Sequence, residues 1–275
     1  MPAPDLHIAQ ALLLADTRSL RIIAQTEGFD AQEAERIVGL FGSRPTGTAC
    51  PLAHFACPFG KSHVAVATVA DRPEGSLGFH FLALSRELYQ HLGDPFAIAD
   101  RFPPDWTAKG NLPGLEWPPE PLPRRRVEQL QEILKTSDTS LLLGSVQSLV
   151  DGGRVVLKRS EPEEAFLRGL WQLLPDRTRS GLWPASFAFS DDLGFHAVAM
   201  PDPPADPSKV RRSEEGLRDY PQSRYELNLQ IAVEAGNQRE LDSLLARRTT
   251  NDTIRLGLTM IGLALLLAVI FKFVL

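Results

Sequence analysis

Residues 256–275, LGLTMIGLALLLAVIFKFVL, constrain this chain more than any other stretch, because twenty residues carry one charge, Lys272. At about 1.5 Å per helical residue the run reaches about 30 Å, the thickness of bilayer hydrocarbon. Thirteen of the twenty are Leu, Ile, Phe or Val. At roughly −0.3 to −0.6 kcal/mol each they favour insertion by at most roughly 4–8 kcal/mol. A core helix keeps a polar stripe, and this run has none. A transmembrane helix is therefore expected over 253–275. Leu256, Leu258, Ile261, Leu263, Leu265, Leu266, Leu267, Val269, Ile270 and Phe271 would face the lipid bilayer. Lys272 would snorkel to the far headgroups, and Arg255 would sit at the near interface with Arg247 and Arg248. Those arginines place the near side in the cytoplasm. A span with nothing after it reads as a single-pass tail anchor in the cell inner membrane. Gly257 and Gly262 miss the GxxxG spacing and only Ala264 and Ala268 fit small-xxx-small, so a passive anchor is expected.

The rest of the chain reads as an ordinary globular body. The net charge is −5, and one unit more negative without Lys272. That balance argues against nucleic-acid binding, which needs clustered Lys and Arg. Two cysteines, Cys50 and Cys57, make no disulfide framework and point to a reducing compartment. The N-terminus has no Lys or Arg before its apolar run, and the uninterrupted run Ala11–Ala15 is too short for a signal peptide.

The fold class expected is α/β (α+β): a mixed-sheet body in two subdomains, a helical stalk and the C-terminal span. An N-terminal α/β subdomain, 1–109, holds strand-like Leu20–Gln25 closed by Gly28. A helix follows over Asp30–Leu40, with Asp30 as N-cap and Glu33 completing a capping box. Val64–Val69 and Phe79–Leu84 read as a hairpin through the turn Arg72–Gly78, and Ser85 caps a short helix to His91. Phe102–Pro123 carries seven prolines and reads as a loop or boundary, with a polyproline connector over 110–125. A second α/β subdomain, 126–200, has helices over Arg126–Leu134, Ser140–Val150 and Glu161–Leu174. Strands are expected over Arg154–Arg159, Ala185–Phe189 and Phe195–Met200, with Phe187 and Phe189 on one face beneath a helix. A linker over 201–222 and a helical hairpin or stalk over 223–252 lead to the span.

Several stretches suggest chemistry. Gly60-Lys61-Ser62 copies the end of a phosphate-binding loop, but Phe55 stands where the first glycine belongs and Pro58 lacks an amide donor. A turn is the better reading. Cys50, His54, Cys57 and His63 lack the short paired spacings of zinc sites, so no metal is expected. Six histidines are present, and His80 and His196 alternate with Phe within strands, as core or outward residues do. Asp94, Asp100 and Asp105 read as caps and turns. No cofactor and no catalytic residue is assigned. Arg177 and Arg179, in LPDRTR between a helix and a strand, are the candidate partner-binding pair, able to fork onto a carboxylate or phosphate.

The stretches DLHIAQALLLADTRSLRIIAQTEGFD, GFHFLALSRELY and LRGLWQLLPDRTRSGLWPASFAF resemble bacterial GTPase-associated protein families. In those families an N-terminal α/β adaptor domain is encoded beside a small GTPase. The resemblance spans roughly residues 5–200 and carries no catalytic residues. It implies an adaptor that is not an enzyme, with a protein partner, a GTPase by gene neighbourhood. The contrasting expectation is a membrane-tethered hydrolase or nucleotide-binding enzyme, which would need the fold to assemble a polar cluster such as Asp94, His63 and His80.

Overall fold

The computed structural model describes residues 5–16, 19–120, 122–203, 211–212, 214–219 and 224–246. The elements run β1 (His7–Ala15), β2 (Leu20–Thr26), α1 (Ala31–Phe41), β3 (Ala53–Phe59), β4 (His63–Asp71), β5 (Leu77–Ser85), α2 (Arg86–Leu92) and α3 (Pro95–Arg101). Then come β6 (Gly110–Leu112), β7 (Leu115–Glu116), α4 (Val127–Thr136), α5 (Thr139–Val150), β8 (Arg154–Lys158), α6 (Glu164–Leu173) and α7 (Asp176–Arg179). Last are β9 (Pro184–Ala185), β10 (Ala197–Met200), β11 (Arg211–Arg212), α8 (Glu214–Arg218), α9 (Arg224–Glu234) and α10 (Gln238–Leu245).

The described strands belong to one mixed sheet, ordered β11-β8-β10-β9-β3-β4-β5-β1-β2-β6, with β7 on the end of β1. From β3 to β2 the neighbours are antiparallel, whereas β9, β10, β8 and β11 run parallel. The two α/β stretches therefore share a sheet, joined where Phe55 of β3 pairs with Ala185 of β9.

The central strands are buried on both faces, so their sequences lack a polar alternation. In β5, Phe79, Phe81 and Ala83 face α1, and Leu82 and Leu84 face α2 and α3. Phe41 of α1 stacks on Phe55 at 5.2 Å and meets Phe79 edge-on at 5.4 Å. Asp30 caps α1 by accepting from Glu33 N. The other half of the capping box is not made, because the Glu33 carboxylate accepts from Arg36 and from Gly60 N, at 3.0 Å for the amide. Ser85 caps α2 through Leu88 N, as the sequence predicts.

Other expectations are modified. The proline-rich connector carries β6 and β7 and lies on the sheet, with β6 beside β2. Of the expected strand 185–189 only Ala185 pairs, with Pro184 before it, as β9. The chain then turns inward, where Phe189 N and Ser190 N both donate to Phe41 O and the Phe189 ring meets Phe41 edge-on. The helical pair α9–α10 does not stand off as a stalk. Tyr225 OH donates to Leu173 O at 2.6 Å, and Gln131 of α4 donates to Val233 O at 2.8 Å.

Among the described residues no helix is long and apolar enough to cross a membrane. The expected span 253–275, with Arg255, Lys272 and the lipid-facing residues from Leu256 to Phe271, lies outside the described residues.

Candidate functional site

Polar contacts between the two halves gather along α6. Residues three, four and eight apart share a helix face, and Glu164, Arg168, Trp171 and Gln172 turn such a face toward α3 and β3. Glu164 Oε1 lies 2.7 Å from His54 Nδ1 and accepts from Arg168 Nε at 2.6 Å. Burial pushes the Glu164 carboxyl up, but the bond to His54 and the Arg168 charge outweigh it and hold it below the usual carboxylate range. Arg168 grips Asp100 with both terminal nitrogens, at 2.7 and 2.8 Å, and lies over the Phe96 ring. Ser186 is beside His54, yet its hydroxyl accepts from the His54 backbone N at 2.8 Å. Serine, histidine and carboxylate are thus neighbours without the hydroxyl-to-ring bond that nucleophilic catalysis needs.

The candidate pair Arg177 and Arg179 sits at the end of this helix, on the single turn α7 and not in an open loop. Arg177 is exposed and Arg179 is buried, at 8% exposure. Arg179 reaches Asp176 at 3.1 Å and Asp94 at 3.6 Å. Asp94 is itself buried. Its Oδ1 caps α3 through Phe96 N and Ala97 N, and its Oδ2 accepts from Gln172. A second buried guanidinium, Arg125, donates to Gln172 O at 2.9 Å, to Leu174 O at 2.6 Å and to Asp176 Oδ1 at 2.6 Å. Burial, with the charge of Arg179 second, pulls Arg125 down to about 10. It remains a cation at neutral pH. The aspartate-proline pair at 94–95 is a readable helix-start signal; nothing local marks Arg125.

Two clefts, of about 500 and 550 Å3, flank the segment Pro123–Arg125 and share Leu122, Pro123, Arg124, Arg125 and Arg179. Asp176 and Asp242 line the first cleft and Asp94 and Glu132 the second. Arg124, largely exposed, is ion-paired with Asp242 of α10. The site therefore offers alternating charges on a framework fixed by buried arginines.

The other candidates are placed elsewhere. His63 is exposed at the start of β4, His80 is buried in β5 and Asp94 caps α3, so the three do not form one cluster. Burial lowers His80 to about 4, and its Nε2 faces Gln10 Oε1 at 3.2 Å. His196 Nδ1 accepts from Trp183 N at 3.0 Å, and burial, with Arg154 second, keeps the ring below its usual range. Cys50 and Cys57 are free thiols, both pushed up to about 12 chiefly by burial. Among the described residues no three His, Cys, Asp or Glu side chains group as metal ligands. Gly60-Lys61-Ser62 forms the β3–β4 hairpin loop, with Gly60 at φ 61°, and its amide is held by Glu33. Calorimetry with ATP or GTP is expected to give no heat attributable to this loop. Micromolar binding abolished by Lys61→Ala would contradict that.

The chain matches no protein-family model, and no curated protein or solved structure matches it.

Proposed function

We propose that this chain is an interaction module held at the inner membrane by residues 253–275, with its α/β body in the cytoplasm. One observation carries the interaction reading. Ser186 with His54, the Gly60 amide and His196 are hydrogen-bonded within the fold, while the clefts beside Pro123–Arg125 remain open and lined with charges of both signs. Interfaces favour arginine, and complementary charge gives them specificity. Arg125 and Arg179 hold the shape of this surface, and the exposed Arg124 and Arg177 meet the partner. The family resemblance makes a GTPase the partner to look for first, and the module an adaptor for it.

The test is affinity capture from solubilised membranes with the full chain and with Arg124→Ala/Arg177→Ala. The wild type is expected to retain a GTPase or its associated proteins, and the variant to lose them. Stability should change by no more than about 0.5 kcal/mol per exposed site. Unchanged capture by the variant would remove the cleft from the account.

A further inference from the structure

A different place on the molecule offers a small-molecule site. The β1–β2 pairing slips by one residue between Leu12 and Leu13: Leu12 pairs with Ala24 and Leu13 with Ile22, leaving Ile23 as an extra residue. Such bulges bend a strand and open the sheet face. One row beyond, Leu14 has Arg21 as its neighbour on β2 and Gly78 on β5. A Cβ at Gly78 would lie 2.8 Å from both the Trp106 ring and the Arg72 stem, so the glycine lets those two side chains rest on the sheet. The Asp105 carboxylate fixes the turn carrying Trp106, accepting from Thr107 N and Thr107 Oγ1. Arg72 lies over the Trp106 ring, 5.1 Å from its centroid.

The result is a pocket of about 220 Å3 with Leu12, Leu14 and Ile23 as its apolar lining, Trp106 as a wall and Arg21 and Arg72 as charged residues. Arg44, Arg154, Arg159 and Arg168 are all ion-paired. Neither Arg21 nor Arg72 has a carboxylate partner among the described residues. An apolar lining with two uncompensated guanidiniums complements a ligand that is oily at one end and anionic at the other.

We propose that this pocket binds a free, short-chain amphiphilic carboxylate, its carboxylate held by Arg21 and Arg72 and its hydrocarbon on Leu12, Leu14, Ile23 and Trp106. The volume is below the roughly 300–1,000 Å3 of pockets for drug-sized ligands, which favours a small acid. A peptide's terminal residue has the same two ends but adds an amide donor. The one hydroxyl in the lining, Ser76, donates to Pro73 O at 3.0 Å and keeps lone pairs able to accept from such an amide, so a peptide is the competing ligand in the test. This proposal is independent of membrane anchoring and of the arginine clefts.

The test titrates hexanoate into the purified full chain at a fixed concentration of mild detergent, with the same buffer lacking protein subtracting partitioning. Saturable hexanoate binding is expected, with hexanamide and acetate at least tenfold weaker. Arg21→Gln/Arg72→Gln should weaken hexanoate at least tenfold at an unchanged melting temperature, and Gly78→Ala should do so by displacing Trp106. The proposal is overturned by absent or non-saturable hexanoate binding, by equal binding of hexanamide, or by an unaffected double variant. It is also overturned, in favour of peptide recognition, if acetyl-Gly-Leu binds more tightly than hexanoate.

Discussion

Trp171→Ala is expected to destabilise the body by about 3–5 kcal/mol, the range for removing a fully buried aromatic ring. Trp171 has no exposed surface. Its ring meets Phe96 edge-on at 6.2 Å, and its Nε1–H donates to Gly93 O at 3.2 Å. That carbonyl follows α2 and precedes Asp94, so one side chain ties α6 to the turn that starts α3. Truncation leaves a cavity and an unpaired carbonyl together. Trp171→Phe keeps most of the volume and should cost less, which separates packing from the hydrogen bond. Urea denaturation of both variants checks this, and a loss below about 1 kcal/mol for the alanine variant would mean that the seam is not packed as described.

Arg125→Ala should cost about 2–4 kcal/mol, because it orphans the buried Leu174 carbonyl and the half-buried Gln172 carbonyl at the end of α6. Relief of repulsion with Arg179 offsets part of the loss. Arg125→Lys is expected to recover little, since one ammonium cannot reproduce a planar fork that reaches two carbonyls and Asp176. Asp176→Ala should have a smaller effect than Arg125→Ala, because Asp176 is half-exposed and water replaces it. The same denaturation measurement reads all three. Equal losses at Arg125 and Asp176 would show the ion pair, not the carbonyl capping, to be the stabilising contact.

The parts of this fold legible in the sequence are those set by local chemistry. Asp30 and Ser85 announce α1 and α2 because a cap is made with an amide three residues away. The hairpin β4–β5 is legible from two β-rich runs and a turn. β1 was not, because it lies between β5 and β2 and its apolar run ALLLA reads as well for a helix or a leader core. The inward turn of Arg179 was also hidden. It depends on Asp94, contributed by a distant part of the chain, and on Arg125 from the proline-rich connector. Glu33 shows the same limit at one residue: its spacing to Asp30 fits a capping box, but the neighbouring hairpin offers Gly60 N and Arg36 lies one turn on.

Alkaline carbonate extraction of cell membranes shows whether the apolar run 256–275 anchors the chain in the bilayer. The full chain should stay in the membrane pellet and come out only with detergent. Leu263→Arg/Leu266→Arg adds about +2.5 to +3.5 kcal/mol per arginine at a helix centre, enough to cancel most or all of the roughly 4–8 kcal/mol that favours insertion. That variant, and a chain lacking 253–275, should move to the supernatant with the circular dichroism of a folded α/β body. A full chain found in the carbonate supernatant, or a truncated chain that stays in the pellet, would contradict the account.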